Sequence, residues 1–437
     1  MDLIQRLNSV VFPEAVEAGG FGDDVEKFVS FEPNDNKGTD QFCSEPVFGQ
    51  VVLEKKTGER FVQPVLVKAQ SSAEIPPQEL SDYMFHNEVL FYTRIMPLFR
   101  KYDECNVLSS SFPEFVYGKG TLGQRPTENI LVMKDLRQKG FQPCVTPYRL
   151  DEDHLKLVLD RLGKFHALSL VCKLEDPAGY EAVNSRICAG ENSKGICAFC
   201  GLVTEEAFRD CMFRGIEPLR NDPDYKDRLA DLCANCEEAP KWLDKYAVNS
   251  EPLSEPLSVF NHGDFHINNM MFKYQDDGKP CEVAFFDLAI IRNATPAVDL
   301  SVIFFFGADP DVIRKCWSSV LHVYHDALSS QMGDHREKPS FAMVELDLRK
   351  KGIYAYYIFA CCAPRIMDVK EGINHPPPPE LEGLDDDQLK ATTEEHIRDL
   401  RRRGGTLATE LLAEIVRVMI DKKFILSTDG QFFTRMT

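Results

Sequence analysis

Residues 259–300 read VFNHGDFHINNMMFKYQDDGKPCEVAFFDLAIIRNATPAVDL. Two short apolar runs, Met270–Tyr274 and Val283–Phe286, are separated by the polar segment Gln275–Pro280, which is rich in turn-forming residues. Apolar runs of this length around such a turn are typical of the two strands of a β-hairpin. We therefore predict a hairpin at the centre of this stretch.

Three polar residues flank the predicted hairpin. Asp264 and Asn269 precede the first strand, and Asp287 directly follows the second. The hairpin should bring all three to the same end. Phosphoryl transfer needs a carboxylate that orients and deprotonates a hydroxyl, and hard oxygen ligands that hold Mg²⁺ on nucleotide phosphates. This order and spacing favours a kinase catalytic loop over a polar surface turn, with Asp264 as the base and Asn269 and Asp287 as metal ligands.

The motif His-Gly-Asp-x-x-x-Asn-Asn, the following strand and the motif Asp-x-x-x-x-Arg-x-x-x-Pro-Ala-x-Asp-Leu resemble the ecdysteroid kinase-like (CHK kinase-like) family. That family belongs to the aminoglycoside and choline phosphotransferase superfamily. The resemblance implies an α+β, two-lobe protein-kinase-like fold, ATP and Mg²⁺ as cofactors, and a small-molecule alcohol as the acceptor. Residues 1–136 would form a mainly β nucleotide-binding N-lobe with one helix. Residues 137–437 would form a mainly helical C-lobe with the catalytic loop 261–269 and the acceptor pocket.

Two further residues of this stretch are predicted to support the site. His262 lies within the first motif, and the resemblance implies that Asp299 steadies the backbone of the catalytic loop. The alternative for Asp299 is a helix N-cap. Ala289 departs from the family pattern, which more often has Asp-Phe-Gln, and it removes a polar side chain beside the metal position.

A lysine and a glutamate upstream fit the same chemistry. We predict three strands at Val25–Phe31, Val47–Glu54 and Phe61–Ala69, and Lys68 lies near the end of the third. In kinases such a lysine contacts the α- and β-phosphates and pairs with a glutamate of the next helix. Glu88, in an amphipathic helix predicted from about residue 79 to 98, is the candidate partner. The alternative is that both are ordinary solvated charges.

Other nucleotide contacts rest on the resemblance alone. Gly38 and Ser44 bound a segment that matches the family's Gly-Asp/Glu-Asn-Tyr-x-Ser loop imperfectly, and the connection 32–46 around it contains no G-x-G-x-x-G pattern. Met133 and Asp135 belong to a predicted strand, Ile130–Leu136, that resembles the hinge beside the adenine. Asp135 has the alternative role of a turn residue.

A helical pattern begins at Asp151. His166 lies on the apolar face of this first helix, so we interpret it as a packing residue rather than a catalytic one. Further helices are predicted at about 310–328, 341–366 and 405–419. Residues 370–395, with four prolines and an Asp run, are predicted to form a solvated loop.

The 14 cysteines allow a competing hypothesis. The pairs Cys197/Cys200 and Cys233/Cys236 could form a four-thiolate zinc site in an interaction module. The segment between the pairs is longer than in common zinc ribbons, and the second pair recurs at helical spacing. Helix packing in a reducing compartment is the favoured interpretation.

The net charge and the lack of long apolar runs limit the kinds of partner that the protein is expected to bind. The formal charge is −19, which argues against a nucleic-acid or anionic-membrane partner. The sequence has no apolar run of membrane-spanning length and no signal-peptide pattern, so we predict a cytoplasmic protein. The expected acceptor is an ecdysteroid or related steroid alcohol, with choline-like or xenobiotic hydroxyls as alternatives. A catalytically silent nucleotide- or small-molecule-binding protein is the second hypothesis, and the sequence leaves the oligomeric state open.

Overall fold

The computed structural model describes residues 2–34, 44–70, 78–146, 149–188, 204–237, 256–334, 336–373, 379 and 383–424. Within this part of the chain, an antiparallel sheet has five strands in the order β1-β2-β3-β5-β4. The strands are β1 (Val25–Pro33), β2 (Ser44–Lys55), β3 (Arg60–Gln70), β4 (Phe115–Lys119) and β5 (Ile130–Lys134). The three strands predicted before residue 70 are confirmed, each slightly longer than predicted.

The two faces of β3 have different roles. Val65, Val67 and Ala69, every second residue of the strand, point into one hydrophobic core, which they share with the N-terminal helical segment. The intervening Lys68 therefore lies on the opposite face of the sheet, where it is fully buried. The period of two along the strand separates the core from the charged face.

The N-terminal segment covers the apolar face of the sheet. It comprises short helices at Leu3–Arg6 and Phe12–Glu17 with a π-helical turn between them, at Leu7–Val11. Phe12 anchors this segment, because its ring packs 4.8 Å from that of Phe31 on β1. Aromatic pairs at this distance add to the stability gained from burial alone.

The helix Gln78–Leu90, called the Glu88 helix below, lies next in the chain. It continues through a π-helical turn at Phe91–Ile95 into a short helix at Met96–Phe99, close to the single helix predicted for 79–98. The Asn87 side chain donates to the carbonyl of Cys188 and accepts from its amide, both at 2.9 Å. These bonds fix the Glu88 helix to the segment that ends at residue 188.

The predicted hairpin is confirmed. Strand β7 (Met270–Tyr274) pairs with β8 (Pro280–Phe285), with Met270 opposite Phe285. A second small pair joins β6 (Val259–Asn261) to β9 (Arg292–Ala294). The two pairs hold the residues on either side of the predicted catalytic loop.

The chain forms two compact units. The first comprises residues 1–145, 171–188 and 268–291, so it contains the five-stranded sheet, the Glu88 helix and the β7–β8 hairpin. The second comprises residues 146–170, 189–267 and 292–437, with most of the helices. The predicted α+β class is confirmed. The predicted lobe boundary after residue 136 stays a prediction.

The helices predicted to begin at Asp151 and at about 310–328 and 405–419 are present, and the predictions for 341–366 and 370–395 differ from the structure. The further helices with described bounds are Val107–Ser111, Glu152–Glu175, Pro177–Asn184, Glu205–Arg214, Ala297–Val302, Pro310–Met332, Phe341–Lys351, Ile353–Lys370, Asp386–Arg402 and Gly405–Asp421. A π-helical turn lies at Ile303–Gly307, and 3-10 turns lie at Arg100–Tyr102, Pro126–Glu128, Leu136–Lys139, Glu217–Asn221, Lys226–Arg228 and Ile267–Asn269. No helix of the described residues is long and apolar enough to cross a membrane.

The helix predicted for 341–366 is interrupted at Gly352. The ring of Phe424 packs where a Cβ of residue 352 would lie, and glycine is a poor helix former. The solvated loop predicted for 370–395 is wrong from residue 386 onward. There Asp385 and Gln388 form a capping box that starts the helix Asp386–Arg402.

Candidate active site

The predicted ion pair of the first unit is present. The Nζ atom of Lys68 donates to both carboxylate oxygens of Glu88, at 2.8 and 3.0 Å. The two residues are 0 % and 3 % exposed. The alternative of two solvated charges is therefore excluded. The alternation along β3 points Lys68 toward the Glu88 helix, and the helix supplies the opposite charge.

Asp287 completes a cluster of three charges with this pair. Its Oδ1 atom accepts from Lys68 Nζ at 3.2 Å, and its side chain is 25 % exposed, unlike those of its two partners. Burial alone would lower the pKa of Lys68, but the carboxylates of Asp287 and Glu88 outweigh it and raise this pKa. The ammonium group is therefore charged at neutral pH.

The pKa of Glu88 is also raised. Burial disfavours its carboxylate form, and this effect exceeds the attraction of Lys68. A titratable group shifted by burial and paired with a specific charge is characteristic of functional sites.

The backbone of Asp287 is strained. Its φ angle is +68°, in the left-handed region that residues other than glycine rarely adopt. Aspartate and asparagine tolerate this conformation better than most residues. Strain of this kind gathers at ligand sites, where neighbouring structure holds the side chain in one direction.

The hairpin places Asn269 and Asp287 at one end, as predicted. The amide of Phe286 donates to the carbonyl of Asn269 at 3.2 Å, which closes the hairpin next to both residues. Their side chains supply a carboxylate and an amide oxygen. Mg²⁺ on a nucleotide typically takes one or two protein oxygens and completes its shell with phosphates and water. No cluster of three or more His, Cys, Asp or Glu side chains that could hold a metal occurs in the described ranges.

Asp264 lies in the second unit, where its side chain is 45 % exposed. His266 Nε2 lies 3.1 Å from Asp264 Oδ1, and the His266 ring stacks on Phe306 with 6.3 Å between ring centroids. The sequence reasoning did not single out His266. The spacing Asp-x-His within the motif was the available signal, because it puts the imidazole within reach of the carboxylate.

Asp299 holds the catalytic loop through its backbone. Its Oδ2 atom accepts from the amide of His262 at 2.7 Å, and its Oδ1 atom accepts from the amide of Gly263 at 2.9 Å. Asp299 is fully buried in the helix Ala297–Val302, whose N-cap is Pro296. The alternative that Asp299 is a helix N-cap is therefore wrong, and its bonds are those expected of a loop-supporting residue.

His166 is part of the same network. Its Nε2 atom lies 3.2 Å from Asp299 Oδ2, and its Nδ1 atom lies 2.9 Å from the hydroxyl of Tyr324. The residue is completely buried, in agreement with the packing role predicted for it. Its partner Tyr324 was missed, because no sequence pattern relates residues 158 positions apart.

The remaining predicted nucleotide residues are less closely connected to this cluster. Gly38 lies outside the described residues, and Ser44 begins β2 with its side chain outside them as well. Met133 is buried in β5. Asp135 caps the 3-10 turn Leu136–Lys139 and accepts three bonds from the Arg137 side chain, which fits the alternative role of a turn residue.

Of the four cysteines in the zinc hypothesis, the described residues include Cys233 and Cys236. Cys236 is completely buried, and burial raises the pKa of its thiol and that of Cys233. A zinc ligand is a thiolate, whose pKa the metal and neighbouring charges lower. Cys197 and Cys200 lie outside the described residues.

Comparisons with known proteins bear on this arrangement. The family model of the ecdysteroid kinase-like family matches residues 38–336. No curated protein matches the sequence. Among solved structures, an ethanolamine kinase from Plasmodium vivax is similar with a TM-score of 0.38 and 11 % sequence identity, over 90 % of this chain and 83 % of that chain.

Proposed function

The chain belongs to the ecdysteroid kinase-like family, and from this premise we propose that it is an ATP-dependent small-molecule kinase. It transfers the γ-phosphate of ATP to the hydroxyl of a small alcohol. The acceptor we propose is an ecdysteroid or a related steroid or xenobiotic alcohol, with no nucleic-acid or membrane partner, and the proposed location is the cytoplasm.

The observation that carries this proposal is the bonding of Lys68 to both Glu88 and Asp287. A strand, a helix and the end of a hairpin each supply one of these charges. Burying such a cluster costs several kcal/mol per ion before pairing, so stability alone is a weak reason to have one. Kinases use a strand lysine, its helix glutamate and a metal-binding aspartate at the nucleotide phosphates.

The proposed mechanism assigns one task to each residue. Bound Mg-ATP would supply the γ-phosphoryl group as its bond to the β-phosphate oxygen breaks and ADP leaves, and Mg²⁺ would offset the negative charge that develops during transfer. Asp264 accepts the proton of the acceptor hydroxyl as the oxygen–phosphorus bond forms. Lys68 holds the α- and β-phosphates, and Glu88 holds Lys68. Asn269 and Asp287 are the residues that would hold the metal.

A catalytically silent binding protein is the second candidate, and Ala289 favours it. This buried alanine stands where the family more often has glutamine, so a polar group beside Asp287 is missing. A silent protein that binds a nucleotide would share nucleotide binding with the kinase and lack phosphate transfer. A silent protein that binds only a small molecule would lack both.

The test is Mg²⁺-dependent transfer of labelled γ-phosphate to a panel of ecdysteroids, sterols, choline-like amines and aromatic alcohols. Wild type is compared with Asp287→Asn and, as a matched control, Asp277→Asn. Asp277 lies in the turn of the same hairpin, where its side chain accepts from the amide of Lys279. Transfer by wild type and the control, lost in Asp287→Asn, supports the proposal.

Nucleotide binding separates the second candidate from the first. At 100 times its Kd, Mg-ATP should raise the free energy of unfolding by about 2.7 kcal/mol, whether or not transfer follows. Stabilisation without transfer to any acceptor would favour the silent binder. If Mg-ATP neither stabilises the protein nor supports transfer, the kinase and the silent nucleotide binder are both contradicted.

A further inference from the structure

Three successive peptide groups lead to Asp264, and Asp299 holds the first two. Its carboxylate accepts from the amides of His262 and Gly263. The third peptide group joins Gly263 to Asp264, and its oxygen is the carbonyl of Gly263. The nitrogen of this third peptide group is the backbone nitrogen of Asp264, so its orientation affects the direction of the Asp264 side chain.

Arg292 binds that third peptide. Its Nη2 atom donates to the carbonyl of Gly263 at 3.3 Å and to the hydroxyl of Tyr354 at 2.6 Å. The guanidinium carbon also lies 5.2 Å from the centroid of the Tyr354 ring. Arg292 is 6 % exposed. A buried, planar guanidinium with a fixed partner keeps its donors in one direction.

The conformation of Gly263 explains why the third peptide group needs a hydrogen bond that fixes its orientation. Gly263 has a φ angle of +87°, which only glycine adopts without strain. Glycine also leaves the chain freer than any other residue would. The pairing of β6 with β9, which places Asn261 opposite Arg292, brings the guanidinium to this peptide.

We propose that Arg292, fixed by Tyr354, is a positioning residue that sets the direction of the Asp264 carboxylate. Asp299 and Arg292 together bind every peptide group from residue 261 to 264. Asp299 accepts from the amides of His262 and Gly263, and Arg292 donates to the carbonyl of Gly263. The catalytic consequence rests on the proposed kinase function. The holding of the loop does not, so the two can be tested separately.

The first arm of the test is kinetic and compares Arg292→Gln, Arg292→Lys and Tyr354→Phe with wild type. The matched control is Arg214→Gln, another buried arginine of the same unit. Arg214 donates to the carbonyl of Gly405 at 2.7 Å and to the hydroxyl of Thr409 at 2.9 Å, away from the loop. Circular dichroism at the assay temperature establishes which variants are folded.

Displacement of a reacting group by about 1 Å can lower a rate about 100-fold. We expect Arg292→Gln to lower kcat about 10- to 100-fold, with KM for ATP changed less than about twofold, because nucleotide binding is not affected. Arg292→Lys keeps the charge but loses the fork, so its kcat should lie between wild type and Arg292→Gln. Tyr354→Phe should show a smaller loss in the same direction, and Arg214→Gln should keep kcat.

The second arm is amide hydrogen exchange of the peptide covering residues 261–266. Exchange should be faster in Arg292→Gln than in wild type or Arg214→Gln. Equal exchange in the two glutamine variants, or an unchanged kcat in folded Arg292→Gln, overturns the positioning role. If wild type transfers no phosphate, the proposed function fails, and exchange alone decides whether Arg292 holds the loop.

Discussion

Among single residues, Lys68 combines complete burial with a positive charge. It is a fully buried cation held by one fully buried and one partly exposed carboxylate. Removing one partner of a buried pair leaves the other charge without compensation, and this costs more than the pair contributes. Substitutions at Lys68 therefore test the cost of an uncompensated buried charge, and substitutions at Asp287 test backbone strain.

Lys68→Met should lower the free energy of unfolding by about 3–5 kcal/mol, as measured by urea denaturation. Without the attraction of Lys68, burial and the negative charge of Asp287 raise the pKa of Glu88 further. The folded state then holds the Glu88 proton more tightly than the unfolded state does. Relative to wild type, the variant should be least destabilised below pH 4.5, the ordinary pKa of Glu88, and this deficit should grow as pH rises toward 7 and above.

The control is Lys27→Met, because Lys27 pairs with Glu54 on the surface with its side chain 57 % exposed. It should leave the urea midpoint nearly unchanged at every pH. The double variant Lys68→Met/Glu88→Gln should recover stability relative to Lys68→Met near pH 7. A double variant no more stable than the single one would contradict the burial of an uncompensated charge.

At position 287, substitutions separate charge from backbone strain. Asparagine tolerates the left-handed region about as well as aspartate, glycine adopts it freely, and valine is strongly disfavoured there. Asp287→Val should be less stable than Asp287→Gly by about 1–3 kcal/mol in urea denaturation. Equal stability of the two variants would show that the φ angle of +68° carries no strain.

Among the elements, the contact between the helices Glu152–Glu175 and Pro310–Met332 sets the geometry of the His166 network. The helices approach each other closely at Gly163, because a Cβ there would lie 2.4 Å from the carbonyl oxygen of Tyr324. Three residues later on the same helix, His166 binds the hydroxyl of Tyr324. Any separation of these helices would therefore reach the His166–Asp299 contact.

Gly163→Ala should destabilise the protein although alanine is the better helix former by about 1 kcal/mol. Overpacking against the Tyr324 backbone should cost about 1–3 kcal/mol, and urea denaturation measures the balance. Lys156→Ala, at a partly exposed position of the same helix where the side chain pairs with Glu152, is the control and should leave the midpoint nearly unchanged. A stabilised Gly163→Ala would mean that propensity outweighs the contact.

The elements also show how far sequence patterns reach. The β7–β8 hairpin was predictable because two short apolar runs and the turn between them lie within one short stretch of sequence. The helix Asp386–Arg402 was missed because its residues are mostly charged, although Asp385 and Gln388 were a readable capping signal. The bond from Arg292 to Tyr354 joins residues 62 positions apart, and no local pattern encodes such a contact.

For the molecule as a whole, the formal charge of −19 makes binding of an anionic nucleotide depend on local positive charge. Lys68 is one such charge, and Mg²⁺ would be another. The predicted residues Lys68, Glu88 and Asp287 lie together in the first unit, and Asp264 with its supporting residues lies in the second. The motif that indicated the function therefore supplies residues to both units.

The cysteine distribution gives a test of the competing zinc hypothesis at this scale. Cys236, buried with a raised thiol pKa, should resist alkylation in the native protein at neutral pH. Partly exposed Cys105 should react first and serves as the positive control. We expect elemental analysis to show less than stoichiometric zinc. A full equivalent of zinc whose loss makes Cys236 reactive would contradict this account.

The central claim is that Asp264 is the base of a phosphoryl transfer. The most direct measurement is the single-turnover rate of γ-phosphate transfer to an accepted alcohol in Asp264→Asn and wild type, at saturating Mg-ATP. General base catalysis typically contributes about 10²- to 10⁴-fold, so the variant should be slower by about that factor, with its affinity for Mg-ATP preserved. An unchanged rate in Asp264→Asn would contradict the assignment.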